Sequence, residues 1–426
     1  MPTHLVSTIA VKDFGSETLR VGDLNGDGAP DLLFVQSTYG PREITCLTAT
    51  TIHGDLFWQT GTPAPDNGRL YSDLPVQVYD WDGDGRNEVL YVRQAHYAEV
   101  YPEDGWARQR ARRYEGHATM VVLEGLTGQE RSTFPLPAPA DDSFLFADLT
   151  GRGRREDFVV KDRYWNMWGV SRDGDVFWHW EGSTGHFPAI ADLDDDGRDE
   201  VFVGFALIDH DGTVLFSHDP GDGHQDAAYI TRLPDGAWRL LFGNHGIHCL
   251  AADGTELWHH PLTEAQHVVA GHFRSDSSTQ FMVIDRGQRH GPERGQERDP
   301  ATLYLYDVDG REIWQRSQPA GSWAAALVNI NWLGLDSPQA ALVYNRGPLE
   351  HAAVYDGAGD IVDTFQMQYT SDLHGVDRQY YCTRADVWGD SRDEVIFFGS
   401  AGACIYANAR PWALPTLYNN TLYPGM

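Results

Sequence analysis

Ala191-Asp-Leu-Asp-Asp-Asp-Gly197 is followed by the apolar run Val201–Phe205, and this pairing of an acidic turn with an apolar strand recurs. Val21-Gly-Asp-Leu-Asn-Gly-Asp-Gly28 precedes Leu32–Val35, Tyr79-Asp-Trp-Asp-Gly-Asp-Gly85 precedes Val89–Val92, and Ala385-Asp-Val-Trp-Gly-Asp390 precedes Val395–Phe398. Ala147-Asp-Leu-Thr-Gly-Arg-Gly153 is a worn copy. A second signal lies further along each unit, where Gly opens a strand carrying Trp or a hydrophobic substitute. Its copies are Gly54-Asp-Leu-Phe-Trp58, Gly174-Asp-Val-Phe-Trp178, Gly212-Thr-Val-Leu-Phe216, Gly254-Thr-Glu-Leu-Trp258 and Gly310-Arg-Glu-Ile-Trp314. One more apolar strand fits between the two signals, for example Thr302–Tyr306, and no stretch carries a sustained helical period. The repeat is therefore four short strands, and such units in series describe an all-β fold, the β-propeller.

Eight blades are predicted, with innermost strands near 18–22, 75–79, 143–147, 187–191, 226–231, 268–273, 325–330 and 381–385. Seven stays open, because blades five to seven lack the acidic turn. Residues 1–426 read as a single propeller domain whose first twelve residues close the last blade, with insertions at about 94–117 and 286–300.

The chain carries 62 Asp+Glu against 32 Lys+Arg, a net charge of −30. That much negative charge disfavours nucleic acid and anionic membranes as partners. No apolar run approaches the ~18–20 residues of a spanning helix. Four cysteines in so long a chain do not make a disulfide framework. Met1–Leu5 shows neither a basic start nor an apolar core. The expectation is a cytoplasmic monomer, or a secreted protein if a leader has been removed.

In the repeated D-x-[DN]-x-D-G-x-x-[DE] pattern, carboxylates at alternate positions turn inward around a tight glycine turn. That suits Ca²⁺, a hard cation taking six to eight oxygen ligands. The candidate sets are Asp192, Asp194, Asp196 and Glu200; Asp80, Asp82, Asp84 and Glu88; and Asp23, Asn25, Asp27 and Asp31. The alternative is an Asx-rich turn that needs no ion. Repulsion among three clustered carboxylates favours the cation. At Asp148, Thr150 and Arg152 occupy ligand positions, and the arginine can stand in for the ion.

Propeller geometry places these turns on one face and the inter-blade connections on the other, around the central channel. The second face collects His186, His224, Asp226, His267 and His374 on the approaches to inner strands. The loops between second and third strands add Lys161, Arg163, Tyr164, Asn244, His245, Arg286 and Arg346. A basic mouth on an acidic protein suits an anionic or polyhydroxylated ligand. Three histidines at equivalent places, His186, His224 and His267, also allow a zinc site, although no ligand-spacing motif accompanies them. His210, His218, His259 and His260 read as ordinary surface or strand residues.

The segments Asp173–Trp178, Gly185–Glu200, Leu207–Gly212 and Gly223–Ala227 resemble the propeller of rhamnogalacturonan lyases, as do Ala385–Glu394 and Leu417–Gly425. The acidic turns are of the FG-GAP type shared by many propellers, so the His-bearing approaches are the more specific part. The resemblance implies an eight-bladed, Ca²⁺-containing propeller that cleaves a uronate–rhamnose glycan by β-elimination, with an acidic polysaccharide or oligosaccharide as partner. Elimination at a uronate needs a carboxylate clamp, a base for the adjacent C–H and an acid for the departing oxygen. Arg163, Arg286 or Arg346 with Asn244 suit the clamp, His186 or His224 the base, and Tyr164, His267 or Lys161 the acid. Asp226 would orient His224 or ligate an ion. A His-dependent glycoside hydrolase and a non-catalytic glycan-binding propeller are the competing readings.

Overall fold

The computed structural model describes residues 3–38, 42–64, 74–100, 113–141, 144–162, 164–221, 223, 225–276, 278–288, 290, 299–318, 325–345, 352–365, 380–399 and 402–410. For 95–100, 113–115, 325 and 345 only the backbone is described. These residues form eight four-stranded antiparallel sheets in chain order and no helix. The fold is an eight-bladed β-propeller.

The innermost strands are Thr18–Gly22, Val76–Tyr79, Phe144–Ala147, Ala189–Ala191, Ala227–Arg232, Ala265–Gly271, Ala325–Ile330 and Tyr381–Ala385. Seven lie close to where the repeat puts them. The sixth begins at Ala265, three residues early, because the register slips between Ala265 and His267. A bulge there interrupts the alternation from which a strand start is read. In blade eight, Thr3–Ile9 pairs with Gly402–Asn408 as the outer strand, so the first and last described strands share one sheet.

Burial follows position in the blade. Second strands such as Asp31–Ser37, Glu200–Val203 and Glu394–Gly399 are buried along their whole length. They are packed by neighbouring blades on both faces, which is why they read as continuous apolar runs. An outer strand such as Val176–Glu181 buries chiefly its tryptophan, Trp178.

That tryptophan explains the glycine signal. Trp178 Nε1 donates to the carbonyl of His210 in the next blade at 2.8 Å, and a Cβ on Gly212 would sit 2.7 Å from the Trp178 Cβ. Gly212 also holds φ +88°, a conformation that L side chains rarely adopt. The same indole bond joins Trp58 to Gly125, Trp258 to Val308 and Trp314 to Gly357. The glycine turns of blades two, four, six and seven thus receive the tryptophan of the blade before, while Gly54, Gly174 and Gly254 meet Ile9, Phe134 and Phe216.

Candidate active site

On the mouth face, one ladder of backbone hydrogen bonds runs from blade three to blade six. Thr184 N donates to Tyr164 O, His186 N to Gln225 O, Asp226 N to Gly243 O, Ala265 N to Asn244 O and Arg286 N to Glu264 O, all at 2.6–3.1 Å. These bonds tie the approach to each inner strand to its own blade or an adjacent one. Gly185 makes this closeness attainable, because a Cβ there would lie 2.6 Å from the Gln225 carbonyl oxygen.

The ladder brings Tyr164, His186 and Asp226 together. Asp226 Oδ1 lies 3.3 Å from His186 Nε2, and the Tyr164 hydroxyl lies 3.5 Å from the same nitrogen. The phenol and imidazole meet edge to face, with centroids 5.3 Å apart. Asp226 therefore serves His186, across the junction of blades four and five. Phe187, 43% exposed, stands next to His186 with its ring 6.3 Å away. Nothing in the repeat singled it out; the signal available was an aromatic directly after a mouth histidine.

The remaining candidates fall elsewhere around the mouth. Asn244 is buried in the turn after Trp238–Gly243, while the exposed His245 bonds the Thr263 carbonyl through Nδ1 at 2.9 Å. Arg286 Nη1 lies 3.6 Å from Glu264. His267 is half-buried on its inner strand. Lys161 is only 2% exposed, and its ammonium donates to the Asp162 carbonyl at 3.0 Å, which sets it beneath the mouth surface. Asp141 is buried in an ion pair with Arg42. Arg163, His224, Arg346 and His374 lie outside the described residues.

The acidic turns on the opposite face differ from one another. In blade four, ligand atoms of Asp192, Asp194 and Glu200 lie within 4.8 Å of each other. Glu200 Oε2 accepts from Leu193 N at 2.6 Å, but Oε1 is buried without a hydrogen-bond partner. Burial, reinforced by Asp194, Asp209 and Asp192, pushes the Glu200 carboxyl up to about 7. A buried oxygen without a donor, facing two more carboxylates, fits a hard cation. Asp196 instead caps its own turn, accepting from Arg198 N at 2.8 Å.

Blade two gathers Asp80, Asp82 and Glu88 in the same way, yet Arg131 reaches across with Nη1 2.7 Å from Glu88 and Nη2 2.7 Å from Asp82. Asp84 caps its turn through Arg86 N. In blade one, Asp23 and Asp27 accept backbone amides, Asn25 bonds Asp27, Asp31 accepts from Leu24 N, and no such cluster forms. In blade three, Arg152 pairs with Glu156 at 2.7 Å, while the Asp148 carboxylate is satisfied by the amides of Arg152, Gly153 and Arg154.

Residues 156–423 match the family described as rhamnogalacturonan lyase family 11, C-terminal domain. Rhamnogalacturonan exolyase YesX of Bacillus subtilis (strain 168) is 23% identical over 265 residues, covering 52% of this chain and 42% of that protein. Rhamnogalacturonan endolyase YesW of the same organism is 25% identical over 272 residues, with the same coverage of 52% and 42%. The chain thus matches less than half the length of these curated relatives. The crystal structure of the exotype rhamnogalacturonan lyase YesX superposes with a TM-score of 0.64 at 22% identity, covering 93% of this chain and 72% of that one. Rhamnogalacturonan lyase PL11 of Bacillus licheniformis gives 0.60 at 20% identity, over 93% and 72%. Both structural likenesses concern the propeller fold. The family match covers more than half of the chain and includes Tyr164, His186, Asp226, Asn244 and Arg286, so the chain belongs to the rhamnogalacturonan lyase family 11 through its C-terminal domain.

Proposed function

We propose that the propeller mouth cleaves a uronate–rhamnose glycan by β-elimination. The observation that carries this reading is the placement of His186 between Asp226 and Tyr164, inside the region matched by the family. A carboxylate beside Nε2 favours the tautomer protonated there, so the lone pair sits on Nδ1, where it can take the proton next to the uronate carboxyl. Tyr164 is the group suited to protonate the departing oxygen. Arg286, 3.6 Å from Glu264, and Asn244 would bind the uronate carboxylate and stabilise the charge that develops on it. Phe187 offers an apolar face to a sugar ring.

Hydrolysis asks for two carboxylates flanking the scissile bond. Of the described mouth carboxylates, Asp141 faces Arg42, Asp226 faces His186 and Glu264 faces Arg286, while Asp162 and Asp285 are taken up by backbone amides. That favours elimination over hydrolysis. Structural Ca²⁺ is part of the same proposal, with Asp192, Asp194 and Glu200 as ligands; its charge would stabilise the turn and take no part in the chemistry.

The test is ultraviolet absorbance of unsaturated product on rhamnogalacturonan, ulvan and rhamnose–glucuronate oligosaccharides, with and without chelator. Product from at least one acidic glycan, lost in His186→Ala, is expected. Binding to the same panel with no chromophore from any member would favour a glycan-binding propeller instead.

A further inference from the structure

His218, His248 and Glu256 meet on the outer side of the junction between blades four and five, away from the residues assigned above. Their ligand atoms lie within 4.8 Å of one another. Glu256 Oε1 is 2.7 Å from His248 Nδ1 and 3.4 Å from His218 Nε2. From this arrangement we propose a binding site for a zinc-type transition metal ion.

The distances suit such an ion. Zinc bound at about 2.0–2.1 Å in tetrahedral geometry separates its ligand atoms by roughly 3.3 Å. The His218–Glu256 separation already has that value, and the His248–Glu256 pair opens by about half an ångström to admit the metal. Two imidazoles and one carboxylate, with a position left for water, is a familiar zinc donor set.

The rings are held ready. His248 lies between Phe242, whose ring is parallel at 4.6 Å, and His259, stacked at 4.2 Å. These three residues sit opposite one another on adjacent strands, Trp238–Gly243, Ile247–Leu250 and Glu256–His260. His218 comes from the other blade, directly after the outer strand Val214–Ser217, where its backbone N bonds the Phe205 carbonyl.

Glu256 and His218 are each about a third exposed, so an ion can enter from solvent. Once bound, it would clasp blade four to blade five through His218. It would also anchor the strand that follows the Asn244–Gly246 turn of the mouth.

The experiment is a zinc titration of the full chain, stripped of transition metals but kept in excess Ca²⁺ so that the acidic turns do not compete. Cobalt(II) serves as a spectroscopic probe of geometry. The expected result is one zinc per chain lost on His218→Ala, and a tetrahedral cobalt spectrum that the same variant abolishes. His248→Ala should weaken zinc by at least the roughly 10–100-fold typical of a change beside a metal. His218 lies outside the strands, so its variant keeps the ring intact, and an unchanged circular dichroism spectrum verifies this. No zinc uptake by the wild-type chain, or uptake identical in His218→Ala, would overturn the site.

Discussion

At the residue scale the proposed chemistry rests on His186 and the two groups beside it. His186→Ala is expected to lower turnover by at least about 100-fold, the usual contribution of a general base, without loss of the fold. Asp226→Asn separates positioning from structure. Removing a carboxylate 3.3 Å from an imidazole lowers the imidazole pKa, so the rising limb of the pH–rate profile should move to lower pH while turnover falls. An unchanged profile would mean that Asp226 only braces the turn. The sequence exposed His186, Tyr164 and Asp226 individually, because each occupies a predictable place in the blade. It did not reveal that Asp226 belongs to His186, because that pairing depends on how blade five is rotated against blade four. Likewise His218, His248 and His259 sit at unrelated places in the repeat, and only cross-strand register and the blade junction bring them together.

At the element scale the acidic turns divide by how their charge is balanced. In the cation-free protein, Glu200 with its carboxyl near 7 still binds a proton that the unfolded chain, ordinary at 4.5, has already released. Native protons in excess mean that stability falls as pH rises from about 4.5 to about 7. The full gap corresponds to roughly 3 kcal/mol. Thermal melts in chelator should show this decline, and Ca²⁺ should remove it above pH 7. Glu200→Gln should flatten the chelator profile and blunt the response to Ca²⁺; a Ca²⁺ response equal to wild type would count against the site. Glu394 in blade eight, also pushed up to about 7 by burial, adds a slope of the same sign.

Blade two carries its own cation. Arg131 occupies the bulge of its outer strand, where other blades place Phe57, Phe177, Leu215, Leu257, Ile313 and Val362. Arg131→Leu should cost about 1.5–3 kcal/mol in chelator, the worth of a hydrogen bond to a charged group, and Ca²⁺ should restore part of it. Loss of stability that Ca²⁺ cannot touch would separate the arginine from the ion's role. The motif alone could not distinguish blades two and four, because Arg131 lies 43 residues from Glu88 and enters from another strand.

At the scale of the whole molecule, eight repeats close into a ring in which the glycine turns of blades one to seven each accept a tryptophan or its substitute from the blade before. Gly212→Ala tests that joint: a Cβ at φ +88°, 2.7 Å from Trp178, should destabilise by about 1–3 kcal/mol in chemical denaturation. The architecture was legible because the repeat states it many times, so a worn copy such as Ala147–Gly153 cost little. The mouth was legible only as a list, since each blade contributes one or two different residues and no repeat reinforces them. The acidic surface and the imidazole site at the mouth follow from the same ring: one face holds the carboxylate turns, and the other gathers the groups suited to an anionic sugar. The decisive measurement is the ultraviolet assay of wild-type chain and His186→Ala on rhamnogalacturonan oligosaccharides, both proteins shown to be folded. Unsaturated product from the wild type and essentially none from the variant is the expected outcome. Equal rates from both, or no product from the wild type on any acidic glycan, would contradict elimination at this mouth.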